Sequence, residues 1–507
     1  FSLFFIFFSI GWQSLIYKTH TRKQAKMSKR VLVTGLGAIT PLGNSVKESW
    51  LKLTLLNTSS DKNAGINSNG ITPITQLPEY KNIYEQFAPL HYPESLAVGK
   101  INYDTVAKKL ISENIVESSS QLQKLNKATA LLLGSVHEAL GDAHLTAQSL
   151  SEGNSNVGTA IGTGIASIHD TYDSVMTFAL SVNQEKDFNT NSSTAPRKKR
   201  REKLSPYLIP KILANIPSAH VHMKYQFQGP MIPLSSACAT GTQSIGEAYL
   251  KMLRTGSKST QNVDVMVVGA TEASVHPMAL AGFHRAKSLS TTGTSKPFDT
   301  NRNGFVLGEG CGILVLEQHE HWKSRNVDGK CAPVYAEVCG YGSSTDAYHL
   351  TAPHPEGKGA FRAMQECVPQ ELLEKENDAK TVLVNCHATS TKLGDVAEIK
   401  AITKLFGPLN HKVYLTSNKG HMGHLLGAAG AVESIFSCKS LQTHVIPPTL
   451  NLENVDEEIA KLLKPFEGKI QIVDTKMVEG VDIDYCIKNS FGFGGVNTSV
   501  CFKKFVR

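Results

Sequence analysis

The sequence predicts a layered α/β fold with two similar halves. Arg30–Gly37 is a short β-branched run that ends in glycines, as expected of a buried strand entering a tight turn. Val334–Gly342 repeats this strand-plus-Gly-x-Gly arrangement about 300 residues later. Ala128–Ala143 has a helical pattern, and Val157–Gly164 and Val263–Gly269 are typical of buried strands. This alternation indicates layered α/β architecture, and the repeated opening is compatible with an internal duplication.

Two stretches interrupt the alternation. Residues 55–100 are polar and turn-rich, so we expect a surface excursion there. Residues 183–203 combine Asn, Ser and Thr with a block of basic residues, Arg197–Arg201 and Lys203. Two interpretations of this insertion stay open: a solvated, partly disordered loop, or a docking segment for an acidic partner.

Bulk composition excludes several classes of protein. The chain has 507 residues, of which 41% are hydrophobic, so it can bury a large core. The net charge of +8 is diffuse, and no aromatic-interleaved basic stripe or zinc-type Cys/His spacing predicts nucleic-acid binding. The nine cysteines include no Cys-x-x-Cys pair, which predicts reduced thiols in an intracellular compartment. Thr40 stands where a dinucleotide fingerprint needs its third glycine, and no phosphate-binding P-loop occurs.

The N-terminal stretch allows two interpretations. Phe1–Tyr17 is apolar but shorter than the roughly 20 residues of a membrane span, so we expect no stable membrane insertion. No acidic residue precedes Glu48, as in many organelle-targeting segments, whereas Met27 opens a segment typical of a natural protein start. Under either interpretation, residues 1–29 are expected outside the fold.

Cys238 is the candidate nucleophile. It lies in Leu234–Gly241, where small residues surround it, and a helical pattern follows. We therefore expect a tight turn at a helix N-terminus, where the helix dipole and free N–H groups lower the pKa of a thiol. The alternative is a buried structural cysteine, as assumed for Cys311, Cys339 and Cys438.

His387 and the hydroxyls after it form a second motif. An apolar strand, Thr381–Val384, leads to His387, and Thr389, Ser390 and Thr391 follow. A lone histidine at a strand end is commonly structural, but these hydroxyls can bind a polar ligand.

Two further motifs lie toward the C-terminus. In Thr416–Glu433, His424 precedes a helix of Gly and Ala whose small faces predict close packing, while the neighbouring His421 is not expected to act. The glycine-rich turn Asn489–Asn497 exposes N–H groups suited to an oxyanion hole, with Phe493 as a movable wall. An ordinary glycine-rich turn with buried aromatics is the alternative.

With these four motifs in this order, the chain resembles the elongating β-ketoacyl-[acyl-carrier-protein] synthases, which share the thiolase fold. The resemblance runs from about Met27 to Lys504 and includes Gly282–Ser290, Pro297–Asp299 and Gly304–Gly310.

Ala388 after the histidine and the segment Ser205–Leu213 are similar to the mitochondrial branch of this family, in particular its fungal members. Departures from the family pattern are Lys392 in place of a proline, Gly420–Met422 in the lysine loop, and the basic insertion. None of them removes a catalytic side chain.

The resemblance implies two similar α/β halves in a five-layer αβαβα arrangement. Residues 30–330 would form the half that carries Cys238, and residues 331–507 the half that carries His387 and His424. The implied reaction loads an acyl group onto Cys238, decarboxylates malonyl-carrier protein and joins the two into a 3-ketoacyl product of fatty acid elongation.

Roles for single residues follow from the same resemblance. His387 and His424 would donate to the enolate formed by loss of carbon dioxide, and the N–H groups of Cys238 and Phe493 would form the oxyanion hole. Lys419 would orient the histidines through Asp395, Glu398 or Glu433. Thr389 and Thr391 would bind the phosphopantetheine arm.

No redox cofactor or catalytic metal is expected, but the family implies a structural monovalent cation near Glu433 and Asn489. It also implies acyl carrier protein as partner, a homodimer with a shared central sheet, and a mitochondrial location. A cytosolic location is the alternative if Met27 is the start and no transit signal exists.

Related activities fit less well. A thiolase needs a second cysteine in a Cys-x-Gly motif, whereas Phe502 and Lys503 follow Cys501. Starter-condensing relatives use Cys-His-Asn, a papain-like hydrolase has different flanking residues, and a catalytically dead partner subunit lacks the nucleophile. The preferred acyl chain length does not follow from the sequence.

Overall fold

The computed structural model describes residues 29–55, 70–85, 91–146, 156–190, 204–254, 262–326, 332–374 and 378–506. The strands are β1 (Val31–Ile39), β2 (Ile71–Pro73), β3 (Ala97–Gly99), β4 (Val157–Gly162), β5 (Met231–Leu234), β6 (Val265–Glu272), β7 (Leu307–Gly308), β8 (Gly310–Gln318), β9 (Ala336–Thr345), β10 (Thr381–Asn385), β11 (Lys412–Thr416), β12 (Val445–Ile446), β13 (Ile470–Ile472), β14 (Val478–Glu479), β15 (Tyr485–Gly492) and β16 (Val496–Lys503).

The helices are α1 (Val46–Leu55), α2 (Tyr103–Ser112), α3 (Ser119–Gln123), α4 (Lys127–Asp142), α5 (Ile168–Thr190), α6 (Leu208–Ile212), α7 (Ile216–Tyr225), α8 (Thr240–Leu253), α9 (Pro277–Arg285), α10 (His319–Arg325), α11 (Lys358–Cys367), α12 (Gln370–Leu373), α13 (Lys392–Phe406), α14 (Lys419–Met422), α15 (Ala429–Thr443) and α16 (Glu457–Leu463). Short helical turns cover Ile74–Gln76, Tyr80–Tyr84, Ala237–Ala239, Leu426–Ala428 and Lys464–Phe466.

The main sheet of the described chain has eleven strands in the order β13-β11-β10-β15-β16-β9-β1-β8-β6-β4-β5. Its two halves join where Val31–Val33 pairs antiparallel with Ala336–Val338. From this junction outward, each half has two antiparallel pairings followed by parallel ones: β1-β8-β6-β4-β5 on one side and β9-β16-β15-β10-β11 on the other. The two half-sheets thus share one pattern of strand pairing. This agrees with the internal duplication suggested by the two strand-plus-glycine openings.

The helices form layers around the two half-sheets. Helices α8 and α15 contact each other, and both contact strands of both halves, so they form the middle layer. Helix α4 packs on β1 and β8, and α11 packs on β9 and β16. Alternate residues of β8 follow this division: Ile313 and Val315 join the α4 cluster, whereas Leu314 and Leu316 join the central one. The predicted five-layer thiolase-like fold is confirmed.

Most predicted elements also agree with the structure, but the expected surface excursion at residues 55–100 is wrong for residues 70–85 and 91–100, while residues 56–69 and 86–90 lie outside the description. Within the described part, β2 pairs with β3, and β3 pairs with β7, in a small sheet. Ile74, Leu96 and Val98 are buried in a hydrophobic cluster that also includes Phe305. A few apolar side chains, dispersed among polar ones without a clear period, therefore anchor this segment.

The predictions for the N-terminal stretch, the basic insertion and the boundary between the halves concern residues that are partly outside the description. Helix α5 continues to Thr190, so residues 183–190 are helical and not a loop, while the basic block at 197–203 lies outside the description. Residues 1–28 and the predicted boundary at 330/331 lie outside it as well. Lys29, expected outside the fold, donates through Nζ to the carbonyl of Met252 (3.4 Å). No helix in the described ranges is long and apolar enough to cross a membrane.

Candidate active site

All four sequence motifs contribute to one cavity of about 380 Å³, a size suited to a small molecule or the arm of a larger substrate. Cys238, His387, His424 and Phe493 line it. The neighbouring His421 does not. The structure therefore brings together the predicted catalytic side chains and separates them from the histidine that was expected to play no part.

Cys238 sits in the short turn Ala237–Ala239, directly before α8. Ala237 has φ of 50°, a left-handed conformation that non-glycine residues seldom adopt. Thr240 holds this turn, because its Oγ1 accepts from Ser236 N (2.9 Å) and donates to Ala237 O (2.7 Å). The predicted tight turn at a helix N-terminus is confirmed, and a left-handed residue at its start is typical of functional turns.

The predicted lowering of the thiol pKa is wrong for the resting site. Burial raises the pKa of Cys238 to about 12. The charge of Lys419 and the backbone N–H groups of Phe493 and Cys238 oppose this rise, and Glu272 adds to it. Desolvation outweighs the favourable helix start, so Cys238 rests as a neutral thiol. The two N–H groups that favour its thiolate are those predicted for the oxyanion hole.

The hairpin between β15 and β16 approaches the nucleophile closely because it is rich in glycine. A Cβ atom on Gly492 would lie 2.6 Å from Ser236 O and 3.4 Å from Cys238 N. Gly494 and Gly495 have φ of 90° and 75°, which tightens the turn. The ring of Phe493 lies over the cavity, 6.4 Å between centroids from Phe283.

His387 and His424 face each other in the cavity, with ring centroids 5.4 Å apart and planes at 83°. Burial, followed by the charge of Lys419, lowers the pKa of both rings well below the ordinary value. Nδ1 of His387 and both ring nitrogens of His424 are buried without a hydrogen-bond partner among the described residues. Two neutral imidazoles thus offer unpaired polar atoms to a bound group.

His424 is fixed by the small sheet and an aromatic ring. Its backbone N–H donates to Val306 O (2.7 Å), and its carbonyl accepts from Gly308 N (2.9 Å). The ring of Phe305 lies edge-on to the imidazole, with centroids 5.2 Å apart. The resemblance includes Phe305 in a quoted motif, but sequence reasoning assigned it no role.

His387 is held by Glu398. The Oε1 atom of Glu398 accepts from His387 N (2.9 Å), and Oε2 accepts from Ala388 N (2.8 Å). Oε1 also accepts from Asn489 Nδ2 (3.0 Å). The ring of Phe491 packs against the imidazole, with centroids 5.5 Å apart. Glu398 therefore orients His387 directly, through backbone amides.

Of the three acids proposed as links to Lys419, the structure selects Glu433. Lys419 Nζ lies 2.7 Å from Glu433 Oε1, and both side chains are fully buried. Asp395 instead accepts from Phe298 N (2.9 Å) and lies 3.7 Å from Arg302, and burial raises the pKa of Asp395 to about 6. Asp395 therefore anchors the neighbouring loop.

Lys488 is a site residue that sequence reasoning missed. Its Nζ lies 2.8 Å from Glu433 Oε2, so one carboxylate joins two buried lysines. The available signal was a lysine within the buried strand β15, directly before the Asn489–Asn497 motif.

Hydroxyls and one departure from the family pattern line the outer cavity. The Oγ1 atoms of Thr389 and Thr391 lie 3.2 Å apart, and both residues line the cavity. Lys392 lines it too, and its Nζ donates to the carbonyl of Thr300. In the described ranges, no three His, Cys, Asp or Glu side chains are grouped to hold a metal ion.

Comparison with known proteins identifies related sequences over most of the chain. Residues 28–321 match "Beta-ketoacyl synthase, N-terminal domain" and residues 335–453 match "Beta-ketoacyl synthase, C-terminal domain". A Saccharomyces cerevisiae 3-oxoacyl-[acyl-carrier-protein] synthase homolog is 40% identical, covering 94% of this chain and 99% of its own. The Arabidopsis thaliana mitochondrial 3-oxoacyl-[acyl-carrier-protein] synthase is 38% identical, covering 94% and 93%.

Solved structures share the fold. A type II PKS ketosynthase in complex with its acyl-carrier protein gives a TM-score of 0.70 at 22% identity, covering 95% of this chain and 100% of that one. A β-ketoacyl synthase from Burkholderia phymatum gives 0.70 at 23% identity, covering 94% and 100%.

Proposed function

This chain belongs to the β-ketoacyl synthase family, and we propose that it is a 3-oxoacyl-[acyl-carrier-protein] synthase of fatty acid elongation. As an acyltransferase, it condenses an acyl group held on Cys238 with malonyl-carrier protein and releases carbon dioxide. The observation that carries the proposal is the meeting of one partly buried thiol and two neutral histidines with unpaired ring nitrogens in a single cavity.

The first half-reaction loads the acyl group. The Cys238 thiol loses its proton as the site fills, and the sulfur attacks the thioester carbonyl. The carbon–sulfur bond to the carrier arm breaks, and the carrier thiol leaves with a proton. The N–H groups of Cys238 and Phe493 hold the oxyanion. In the resting site the same two groups oppose the rise in the pKa of Cys238.

The second half-reaction uses the histidines. The bond between the malonyl carboxylate and the adjacent carbon breaks, carbon dioxide leaves, and the electron pair moves onto the thioester as an enolate. His387 and His424 each donate an N–H to the enolate oxygen, where charge develops only in the transition state. The enolate carbon then attacks the Cys238 thioester, a carbon–carbon bond forms, and the thiolate is released.

The carrier arm reaches this centre past Thr389 and Thr391, whose hydroxyls lie on the cavity wall and can hydrogen-bond the amides of phosphopantetheine. These steps use side chains and backbone N–H groups of the chain alone, with no redox cofactor or catalytic metal.

The homodimer would form along the free edge of β5, the last strand of the main sheet. Helices α5, α6 and α7 continue from this edge as a contacting series. They expose large apolar side chains: Phe178 (58%), Ile209 (58%) and Met223 (59%). A second copy would pair with the strand edge and cover this patch. Light scattering on a Phe178→Glu variant tests the arrangement, because the charge should give monomers.

A mitochondrial location is supported by the Schizosaccharomyces pombe and Arabidopsis thaliana relatives, whose names include that compartment. Imaging the full chain with a C-terminal tag tests it against the cytosolic alternative.

One measurement separates the proposed function from its alternatives. Purified protein is given malonyl-carrier protein with and without an acyl primer on carrier protein, and carbon dioxide and 3-ketoacyl product are followed. We expect primer-dependent product with matching carbon dioxide. A thiolase would release no carbon dioxide, and a subunit that lacks the nucleophile would form no 3-ketoacyl product.

A further inference from the structure

Lys488 lies in the middle of the buried strand β15, with its side chain fully removed from solvent. A lysine ammonium is normally kept in water, so a buried one needs oxygen partners. Four oxygens surround its Nζ: Glu433 Oε2 at 2.8 Å, the carbonyls of Asn385 and Cys386 at 3.2 Å each, and Asn385 Oδ1 at 3.4 Å.

Carboxylate, amide and backbone carbonyl oxygens together are the ligand set of a hard metal cation. The resemblance implies a monovalent cation near Glu433 and Asn489, but Nζ of Lys488 fills the centre of these oxygens. A separate ion does not fit between them. Asn489 is also engaged elsewhere, because its Oδ1 accepts from Ser499 Oγ (2.8 Å) and its Nδ2 donates to Glu398.

We propose that Lys488 is a tethered cation: its ammonium group takes the place of a diffusible monovalent metal ion behind the active site. It neutralises Glu433 and holds the end of β10, and His387 follows this strand after Cys386.

This makes Lys488 a positioning residue. Glu433 links it to Lys419, whose charge acts on Cys238 and on both histidines. The two lysines and one glutamate leave one net positive charge, which adds to the effect of burial in lowering the pKa of His387 and of His424. This catalytic consequence rests on the function proposed above, whereas the identity of the cation does not.

The thermal unfolding temperature, Tm, tests the cation without any substrate. The full chain is compared in KCl, NaCl and choline chloride at equal ionic strength, and we expect the same Tm in all three. The Lys488→Ala variant keeps all four oxygens and opens the space, so its Tm should drop in choline and recover with K⁺ or Na⁺ in a saturable way. Lys488→Met is the matched control, because its uncharged chain fills the space and should show no such recovery.

Two results would overturn the proposal. One is a wild-type Tm that depends on K⁺ or Na⁺, which would mean that the chain binds an ion as well. The other is a folded Lys488→Ala variant without any recovery specific to these ions. Should that variant fail to fold, the wild-type comparison alone still decides.

The pH dependence of the condensation rate gives a second test. Replacing a lysine that has a purely structural role would not shift it. Charges around His387 and His424 come from Lys419 and Lys488, with His424 acting on His387 and the Glu398 carboxylate accepting from His387 N. In choline, Lys488→Ala should condense roughly tenfold or more slowly than wild type, with the acid limb of its pH–rate profile moved to higher pH. K⁺ should return the limb toward the wild-type position. An unmoved limb would contradict the electrostatic role, whereas an inactive wild type with the expected Tm pattern would refute only the proposed reaction.

Discussion

The connection after β5 and the connection after β11 occupy equivalent places in the two halves, yet they carry different chemistry. After β5 comes the thiol of Cys238 and then α8; after β11 come Lys419 and His424 and then α15. Because α8 and α15 contact each other in the middle layer, the two connections meet at the cavity. The duplicated framework thus brings two unlike loops together: one half supplies a nucleophile and the other supplies neutral hydrogen-bond donors.

Small residues at the two helix starts set how closely these loops approach. A Cβ atom on Gly241 would lie 2.6 Å from Ala431 N, and one on Gly430 would lie 2.2 Å from Thr242 Oγ1. The close packing predicted from the Gly/Ala-rich sequence is confirmed. Larger residues at either helix start would separate the thiol from the histidines.

Burial acts on the thiol and on the two histidines, but it shifts their pKa values in opposite directions. It raises the pKa of the Cys238 thiol and lowers the pKa of His387 and His424, so each group rests in its neutral form. The charges behind them belong to Lys419, Glu433 and Lys488. The comparison therefore predicts that the two half-reactions respond separately to mutation and to pH.

The largest expected effect comes from removing the nucleophile. Cys238→Ala should abolish condensation, because no group remains to hold the acyl chain, and the fold should persist because only a small thiol is lost. Decarboxylation of malonyl-carrier protein should survive, since it depends on the other half. Product formation, carbon dioxide release and Tm check this. A variant that makes 3-ketoacyl product at near wild-type rate would refute the assignment.

Removing either donor should have the next largest effect. Each of His387→Ala and His424→Ala should cost about 3–4 kcal/mol in the condensation barrier, the value of one oxyanion donor. Acyl transfer to Cys238 should be better preserved, which trapping of radiolabelled acyl-enzyme measures against product formation. Equal loss of both half-reactions would instead show that the histidines act mainly on the thiol.

The pH dependence of thiol alkylation tests the opposite pKa shifts of Cys238 and the histidines. With the pKa of Cys238 raised to about 12, alkylation by iodoacetamide should increase about tenfold per pH unit up to pH ~9 without a plateau. Decarboxylation by Cys238→Ala should stay nearly flat above pH ~6.5, because the lowered pKa values leave both histidines already neutral. Lys419→Met should slow alkylation further. A plateau near neutrality would favour the low pKa expected from the helix start.

The sequence was informative where chemistry requires particular residue types in contiguous motifs. Cys238, His387, His424 and Phe493 could be named because small residues, hydroxyls or glycines flank them. Contacts between distant segments could not be predicted, because they depend on the packing of the two halves. Neither the desolvation of Cys238 nor the choice of Glu433 as partner of Lys419 has a local signal.

Residues 55–100 and Lys488 show that burial is hard to predict from sequence, for apolar residues in a polar segment and for a charged residue in an apolar one. Polar composition hid the buried Ile74 and Val98, whose cluster lies beside the cavity. Lys488 looked like an ordinary charged residue, although its partners lie about 50 and 100 residues away in sequence. Burial of a charge becomes evident only once the surrounding strands are in place.

The smallest expected effect concerns the basic block Arg197–Arg201, which lies outside the described residues. Changing it tests whether the first half also attracts the carrier protein. Carrier proteins are acidic, and rim charges mainly change association rate and its salt dependence. Because α5 runs to Thr190, replacing the five basic residues by Ser and Asn is cleaner than deleting residues 186–201, which would shorten the helix. The Michaelis constant for carrier-bound substrates should rise several-fold at low salt and barely at high salt, with turnover unchanged.

The reason for this salt dependence is the Debye length, which is about 8 Å at roughly 0.15 M salt, so only a block close to the docked carrier can act there. Pantetheine thioesters lack the acidic protein and should react as before. Neutralising the exposed Lys461 and Lys464 on the opposite half is the control, since it removes two positive charges without touching the insertion. If the carrier Michaelis constant is the same for the block variant and the wild type at low ionic strength, the insertion is a solvated loop, and recognition of the carrier falls to the cavity rim around Lys392.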